Sequence, residues 1–192
     1  MPVRLDTGER RRPAITSGPQ DAIPASVLVL ITPSRDSGVA SAEADLILIE
    51  RSPRGHHAGE ISFPGGRAEA GESAEDTALR EAAEEVGLDA VAAQVRVIGR
   101  LETFWIPVSG YRVEPILAFA DRWPDLRPSP DEVAAIIRAP LAAFVPPAPI
   151  RIVESTVREW SLRYGAYPVG EHLVWGATAR ILGQLGALLV SG

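Results

Sequence analysis

Three glutamates, Glu81, Glu84 and Glu85, stand at positions i, i+3 and i+4 of a segment with helical apolar periodicity. At this spacing all three carboxylates project from one side of the same helix. Like charges at i and i+4 destabilise a helix by roughly 0.2–0.5 kcal/mol, and the last turn of a helix favours cations over anions. A solvated helix face is the alternative interpretation, but these costs favour a positive group bound against the cluster.

A hard divalent cation is the positive group that suits such a cluster. Mg²⁺ and Mn²⁺ prefer carboxylate, backbone carbonyl and water ligands, and Mg²⁺ usually leaves positions open for substrate phosphate. Gly65, Gly66 and Gly71 bracket a turn just before the glutamates, which brings backbone close to them. The chain has no Cys, so thiolate nucleophiles, disulfides and Cys-type zinc sites are excluded. These residues predict metal-assisted chemistry on a phosphorylated substrate.

Length and composition narrow the class of protein. The chain has 192 residues, 46% hydrophobic and 23% charged, which predicts one domain or at most two. Its formal net charge of -6, with Arg as the only basic residue type besides three His, disfavours binding to duplex nucleic acid. No apolar run approaches the roughly 20 residues of a membrane span, and no signal-peptide stretch follows the Arg-rich start. We therefore expect a cytoplasmic protein with no membrane partner.

The elements that position the glutamates follow from hydrophobic period and turn chemistry. Residues 1–23 are polar and aperiodic and are predicted to be a tail, which leaves residues 24–192 as the domain. The helix of the glutamates is predicted over residues 73–86, with Ser73 as N-cap and Gly87 as its end. Strands are predicted over residues 26–32, 45–50, 60–63, 91–101, 111–119, 150–153 and 160–164, and further helices over 131–138 and 173–189. The mixture predicts one α/β (α+β) domain.

The segment from residue 66 to residue 88 resembles the Nudix box. The matching positions, at the spacing of that motif, are Gly66, Glu72, Arg80, Glu81, Glu84, Glu85 and Gly87. The resemblance implies the Nudix fold, an α/β/α sandwich around a mixed β-sheet. It also implies hydrolysis of a nucleoside diphosphate linked to another group, with a small-molecule nucleotide as substrate.

The same resemblance implies roles for the motif residues. Mg²⁺ or Mn²⁺ would be held by Glu81, Glu84 and Glu85, with the carbonyl of Gly66 as a further ligand. The Glu72–Arg80 pair would brace the loop against the helix, and we interpret these two residues as mainly structural.

Segments upstream of the box resemble the coenzyme A pyrophosphatase branch of the family. They are Leu46-Ile47-Leu48-Ile49-Glu50-Arg51-Ser52 and His57-Ala58-Gly59-Glu60-Ile61-Ser62-Phe63-Pro64-Gly65-Gly66, with further similarity at residues 109–113, 130–133 and 174–180. The resemblance implies cleavage of coenzyme A or acyl-coenzyme A to 3′,5′-ADP and 4′-phosphopantetheine or its acyl form. The chain departs from the branch at Gly55, where an Arg usually precedes the His pair, and Arg54 is the nearest substitute.

Cationic and aromatic side chains near the box are candidates for substrate binding. The guanidinium groups of Arg51, Arg54 and Arg67 could bind phosphate bidentately. His57 is a further candidate, and the pair Phe104-Trp105 could stack on adenine. Each has a structural alternative, since an Arg can be solvated or paired, a loop His can be a surface residue and an aromatic ring can belong to the core.

Water attack on a diphosphate also needs a general base. Crowded carboxylates raise one another's pKa, which would tune a glutamate of the cluster toward neutrality. The candidates are Glu81, Glu102, Glu114 and Glu132. Glu132 has an alternative role as dipole compensation at the start of the helix predicted over residues 131–138.

Two other functions stay open at this point. One is a Nudix hydrolase that acts on ADP-ribose, NADH or other nucleoside diphosphate derivatives. The other is a Nudix-fold nucleotide-binding domain without turnover. Such domains usually lose one of the metal glutamates, whereas this chain keeps all three. The sequence does not indicate an oligomeric state.

Overall fold

The computed structural model describes residues 3–4, 18–34, 43–53, 59–157 and 160–191 of the chain. Its first strands are β1 (Val3–Arg4), β2 (Ile23–Pro33), β3 (Ala44–Arg51), β4 (Ile61–Ser62) and β5 (Gly65–Arg67). After helix α1 (Ala74–Val86) come β6 (Val95–Arg100), β7 (Phe104–Ile106), β8 (Tyr111–Ala120) and β9 (Val133–Pro140). A 3-10 turn (Leu141–Phe144), β10 (Arg151–Val157), β11 (Trp160–Val169), β12 (His172–Val174) and helix α2 (Gly176–Ser191) complete the order.

β2 is the central strand of the main sheet. It pairs in parallel with β8 along one edge. Along its other edge its first half pairs antiparallel with β5 and its second half with β3. The resulting order is β4-β3-β2-β8-β6, with β5 beside β2, β7 beside β8 and β9 beside β3. This is a mixed sheet, as the sequence predicts.

Both faces of the main sheet are covered, because its central strands are apolar at successive positions and alternate residues point to opposite sides. The α1 side is packed with buried side chains that include Leu28, Leu30, Ile47, Ile49 and Ile116. The α2 side is packed with buried side chains that include Val29, Ile31, Leu46, Leu48 and Val113. The α/β/α sandwich that the resemblance implies is confirmed.

Helix α1 begins and ends as its sequence predicts. Ser73 is the N-cap, and its hydroxyl oxygen accepts a hydrogen bond of 3.1 Å from the backbone N–H of Asp76. Gly87 ends the helix in the left-handed conformation, at φ 65°, and its N–H donates to the carbonyl of Ala83. A glycine adopts this conformation without the steric cost of a Cβ.

The helix predicted over residues 131–138 is wrong. Residues Val133–Pro140 form strand β9, which pairs antiparallel with β3 along its whole length. The segment carries β-branched residues, and the open edge of β3 supplies backbone partners that outweigh the helix propensity of its alanines. The predicted C-terminal helix also begins later, at Gly176, because His172–Val174 pair with β11 as β12.

The predicted tail, residues 1–23, lies mostly outside the described residues. Val3–Arg4 pair with β11, and Ile23 opens β2 beside Tyr111. The boundary at residue 23 stays a prediction. In the described ranges, none of the helices has the length and apolar content to cross a bilayer.

Candidate active site

The Gly65-Gly66 turn places backbone directly against the glutamates of α1. β5 pairs with the start of β2, so that Gly66 faces Ser26 on the sheet and Glu81 on the helix. A Cβ on Gly66 would lie 2.6 Å from the carboxylate carbon and from both oxygens of Glu81. Only glycine lets this carboxylate approach the turn so closely.

Gly65 anchors the second carboxylate. Its backbone N–H donates a 2.8 Å hydrogen bond to Oε2 of Glu85, whose side chain is buried with only 2% of the residue exposed. The φ of Gly65 is 153°, and a Cβ there would lie 2.6 Å from Cα of Val27. The sequence predicts Gly65 only as part of a turn and does not reveal this contact. The available signal was the Pro-Gly-Gly run, which exposes backbone N–H groups next to an acidic helix.

Arg51 lies at the end of β3 and faces the same carboxylate. Its Nη1 is 3.8 Å from Oε1 of Glu85, and its side chain is 37% exposed. The sequence predicts Arg51 as a substrate contact. The structure brings it to the edge of the glutamate cluster, where a half-exposed guanidinium can reach both Glu85 and a ligand in solvent.

Burial raises the pKa of two glutamates of the cluster, Glu81 and Glu85. It raises the pKa of Glu85 to about 7, and the negative charges of Glu81 and Glu132 add to the rise. The N–H of Gly65 and the cation of Arg51 oppose it. Burial also raises the pKa of Glu81, against the opposing effect of Arg80. The site therefore holds more negative charge than its own cations compensate, which favours binding of a further cation.

Arg80 ties the loop before α1 to the helix. Its Nε donates to Oε1 of Glu72 at 2.7 Å, and its Nη2 donates to Oε2 of Glu72 and to the carbonyl of Arg67, both at 3.1 Å. Its Nη1 donates to Glu81 at 3.0 Å and to Glu84 at 2.9 Å. Arg80 and Glu72 thus form the pair that the resemblance implies, and Arg80 also holds two of the three glutamates of the cluster.

The Glu72–Arg80 pair predicts a specific acid sensitivity of folding. Hydrogen bonds from Arg80 lower the pKa of Glu72 from its ordinary value of 4.5 to about 2. A carboxyl group whose pKa is lower in the folded state stabilises the fold at pH values above its pKa in the unfolded chain. This stabilisation is lost as the pH falls to the pKa of the folded state. We expect Glu72→Gln to lower the free energy of unfolding at pH 7, and this difference from the parent should vanish as the pH falls from 4.5 to 2.

Urea unfolding between pH 2 and pH 7 measures this difference. Glu75→Gln is a matched control, since Glu75 is exposed on the first turn of the same helix. A Glu72→Gln protein whose stability parallels that of the parent at every pH would show that the pair contributes nothing to folding.

The general-base candidates outside the box differ in their surroundings. Glu132, in the turn before β9, is close enough that its charge raises the pKa of both Glu81 and Glu85. It precedes a strand, so the alternative role at a helix start does not apply. Glu114 of β8 lies on the α1 side, one strand beyond Ser26, and accepts a 2.7 Å hydrogen bond from Arg100.

Glu102 lies apart from the other candidates. Its carboxylate accepts a hydrogen bond from Gln184 at 3.1 Å and one from Arg180 at 3.4 Å, and both residues belong to α2. It is therefore held on the α2 side of the sheet, away from the glutamates of α1. The charge of Glu132, by contrast, acts on Glu81 and Glu85 of the cluster.

The other predicted substrate contacts have three different outcomes. Arg67 is exposed at the end of β5, where it lines an open depression of about 490 Å³ together with Ala68, Glu69, Ala70, Arg80 and Glu81. Arg54 and His57 lie outside the described residues. Phe104 is 2% exposed and belongs to the core on the α2 side, so it cannot stack on a base.

The donor set fits a hard cation by its chemistry. Within the described ranges, no three acidic or imidazole side chains are already gathered at metal-binding distance, and Arg80 contacts Glu81 and Glu84 instead. Glu85 is a buried carboxylate, and the lack of a Cβ at Gly66 opens a cradle beside Glu81. Oxygen donors of this kind suit Mg²⁺ or Mn²⁺, and do not suit a thiophilic metal.

Comparison with known proteins relates this chain to one family. The family model of the NUDIX domain matches residues 23–160. The chain is 36% identical over 183 residues to the uncharacterized Nudix hydrolase NudL of Shigella flexneri serotype 5b (strain 8401), which covers 91% of this chain and 86% of that protein. It is 37% identical over 153 residues to Nudix hydrolase 15, mitochondrial, of Arabidopsis thaliana, which covers 71% of this chain and 50% of that protein.

Solved structures share the fold at low sequence identity. The Nudix hydrolase RenU from M. smegmatis superposes with a TM-score of 0.59 at 18% identity, covering 88% of this chain and 87% of that one. A MutT/nudix family protein from Enterococcus faecalis superposes with a TM-score of 0.55 at 15% identity, covering 95% of this chain and 64% of that one. At such identities the likeness concerns the fold alone.

Proposed function

Since this chain belongs to the Nudix hydrolase family, we propose that it cleaves the diphosphate of coenzyme A or acyl-coenzyme A with the help of Mg²⁺ or Mn²⁺. Members of the family are pyrophosphohydrolases that typically use a divalent metal ion and take small, nucleotide-like substrates. The products would be 3′,5′-ADP and 4′-phosphopantetheine or its acyl form. The non-catalytic alternative is not supported, since the chain keeps all three glutamates of the box.

One observation carries the proposal. Glu85 is buried beneath the Gly65-Gly66 turn, where burial raises its pKa to about 7, and the carboxylate of Glu81, one helical turn earlier, lies against the same turn. A buried carboxylate with a second carboxylate crowded against it is costly to the fold unless the site uses it. Binding of a divalent cation is the use that fits both the oxygen donors and the phosphate chemistry of the family.

The residues of this chain have separate parts in the proposed reaction. Glu81, Glu84, Glu85 and the carbonyl of Gly66 would hold the cation, and Arg80 would release Glu81 and Glu84 to it while keeping its bonds to Glu72. When bound, the cation would neutralise phosphate oxygens and lower the pKa of the attacking water. Glu132, whose charge acts on both Glu81 and Glu85, would hold the proton of that water.

The assignment to coenzyme A rests on the segment that leads into the box. In the structure this segment contributes β4, the fully buried Phe63 and the turn that positions Glu85. Arg51, from the first half of the same signature, lies 3.8 Å from Glu85. Both parts of the coenzyme A signature therefore converge on the glutamate cluster, which supports a role for them in the substrate choice of this site.

A panel of substrates tests the proposal. The full chain would be assayed with coenzyme A, acetyl-coenzyme A, ADP-ribose and NADH, each with Mg²⁺ and with Mn²⁺. We expect kcat/KM for the coenzyme A substrates to exceed that for ADP-ribose and NADH by about tenfold or more, since a site built for the 3′-phosphate leaves charged groups unpaired with the others. Rapid hydrolysis of ADP-ribose beside unchanged coenzyme A would overturn the substrate and leave the family membership intact.

A further inference from the structure

Trp105 and Arg112 project to the α1 side of the main sheet. They face each other across β7 and β8, next to the pair Phe104–Val113. Phe104 and Val113 belong to the buried core on the α2 side. Because side chains alternate along a strand and directly opposed residues share a face, Trp105 and Arg112 point to the side that carries the glutamates of α1.

The strand pairings connect these two side chains to the glycine turn. Ser26 of β2 pairs with Gly66 on one side and with Glu114 on the other. Arg112 precedes Glu114 by two residues along β8. Gly66 and Arg112 therefore lie two strands apart across the sheet and two residues apart along the strand direction. This offset places their α-carbons about 12 Å apart. An extended nucleotide whose diphosphate lies at Gly66 can reach Arg112 over this distance.

Arg112 is a cation without an acidic partner in the part of the chain that the structure describes. Other arginines of the same sheet are paired, as Arg100 is with Glu114 at 2.7 Å and Arg96 with Asp121 at 2.9 Å. The Arg112 side chain is partly exposed on the face that holds the candidate active site. A guanidinium in that position can bind a phosphate group bidentately.

Trp105 is held in place but is not fully buried. Gly18 packs closely against the start of the Trp105 side chain, since a Cβ on Gly18 would lie 2.7 Å from Cβ and Cγ of Trp105. The indole N–H is shielded from solvent and meets no acceptor among the described residues. A tryptophan kept only for core packing normally finds a partner for this donor. A fixed aromatic ring at the edge of a site is suited to stacking on a nucleobase.

We propose that Trp105 and Arg112 form a nucleotide subsite, in which the indole stacks on the adenine and the guanidinium binds the phosphate on the 3′ position of the ribose. The inference rests on the proposed function and names the residues that select the nucleotide half of the substrate. ADP-ribose and NADH lack the 3′-phosphate, so Arg112 separates them from coenzyme A.

Kinetics on paired substrates tests the role of Arg112. We expect Arg112→Gln to raise KM for coenzyme A by about 10- to 100-fold, since hydrogen bonds to charged groups contribute at this level. KM for 3′-dephospho-coenzyme A should change by less than about threefold, and kcat should hold for both. Arg122→Gln is the matched control, because Arg122 is exposed beyond the far end of β8. Equal rises in KM for the two substrates would overturn the assignment.

A binding measurement separates this inference from the proposed function. Titration calorimetry with adenosine 3′,5′-bisphosphate and with AMP needs no turnover. We expect Arg112→Gln to weaken bisphosphate binding by about tenfold or more without an equal effect on AMP. If coenzyme A is not hydrolysed but this difference is found, the proposed function fails and the subsite stands. If the parent does not bind the bisphosphate, or binds it no more tightly than Arg112→Gln does, the subsite is wrong.

Trp105 is tested by two substitutions. Trp105→Leu should weaken the binding of adenosine 3′,5′-bisphosphate and of AMP by the same factor, about fivefold or more, since stacking does not depend on the 3′-phosphate. Trp105→Phe keeps an aromatic ring and should therefore retain most of the affinity that Trp105→Leu loses. Unchanged binding of both ligands in a folded Trp105→Leu protein would rule out stacking.

Discussion

Replacing Glu85 by glutamine should lower kcat for diphosphate hydrolysis by at least about 10³-fold, because cation-assisted charge stabilisation supplies several kcal/mol of the barrier reduction. Glutamine keeps an oxygen that can accept the N–H of Gly65, so the turn should retain its 2.8 Å contact. The loss would come from the missing carboxylate charge. Steady-state assays with saturating Mn²⁺ measure it, with Glu75→Gln as the control on the same helix.

The same substitution should stabilise the metal-free protein at alkaline pH. Because the pKa of Glu85 is raised from 4.5 to about 7, the folded state binds this proton more tightly than the unfolded chain. The contribution of Glu85 to stability is then largest below pH 4.5 and is lost as the pH rises from 4.5 through 7. Urea unfolding in EDTA at pH 8 should show Glu85→Gln more stable than the parent by about 1 to 3 kcal/mol. For the activity prediction, a Glu85→Gln protein that hydrolyses substrate as fast as the parent would refute the metal-site assignment.

Replacing Gly65 by alanine should destabilise the fold by about 3 kcal/mol or more, because the new methyl group overlaps backbone atoms that cannot move aside. It would collide with the carbonyl oxygen of Ser26 and lie 2.6 Å from Cα of Val27, and both atoms belong to the central strand β2. Any shift that relieves the overlap also moves the N–H that holds Glu85. Activity should therefore fall together with stability.

Gly71→Ala is the control for this variant. Gly71 also has a positive φ, of 89°, but no atom outside its chain neighbours lies within 4 Å of a Cβ built there. Its substitution should cost about 1 to 2 kcal/mol, which is the backbone strain alone. The free energies of unfolding in urea compare the two variants. Equal destabilisation by the two substitutions would mean that the packing of Gly65 on β2 adds nothing.

The helix of the glutamates could be predicted from local signals. Ser73 and Gly87 mark its two ends by side-chain and backbone chemistry that depends on few neighbours. The spacing of Glu81 and Glu85 then places both carboxylates on one side of the helix. Since these features are set within a few residues of sequence, the structure reproduces them closely.

Features that depend on distant pairing could not be predicted in this way. Residues Val133–Pro140 carry apolar periodicity that suits a short helix, and only the open edge of β3 makes them a strand. Phe104 and Trp105 point to opposite faces of the sheet because of their register against β8. Phe104 therefore lies in the core, and Trp105 lies on the α1 side. The contact between Gly65 and Glu85 likewise joins residues 20 positions apart through β2.

The central claim is that the glutamates of α1 support cation-dependent cleavage of the coenzyme A diphosphate. Its most direct test is product analysis by mass spectrometry after coenzyme A is incubated with the full chain, with Mn²⁺ or with EDTA. We predict equal amounts of 3′,5′-ADP and 4′-phosphopantetheine with Mn²⁺ and neither product with EDTA. Unchanged coenzyme A under both conditions, or the same products at the same rate in EDTA, would contradict the claim.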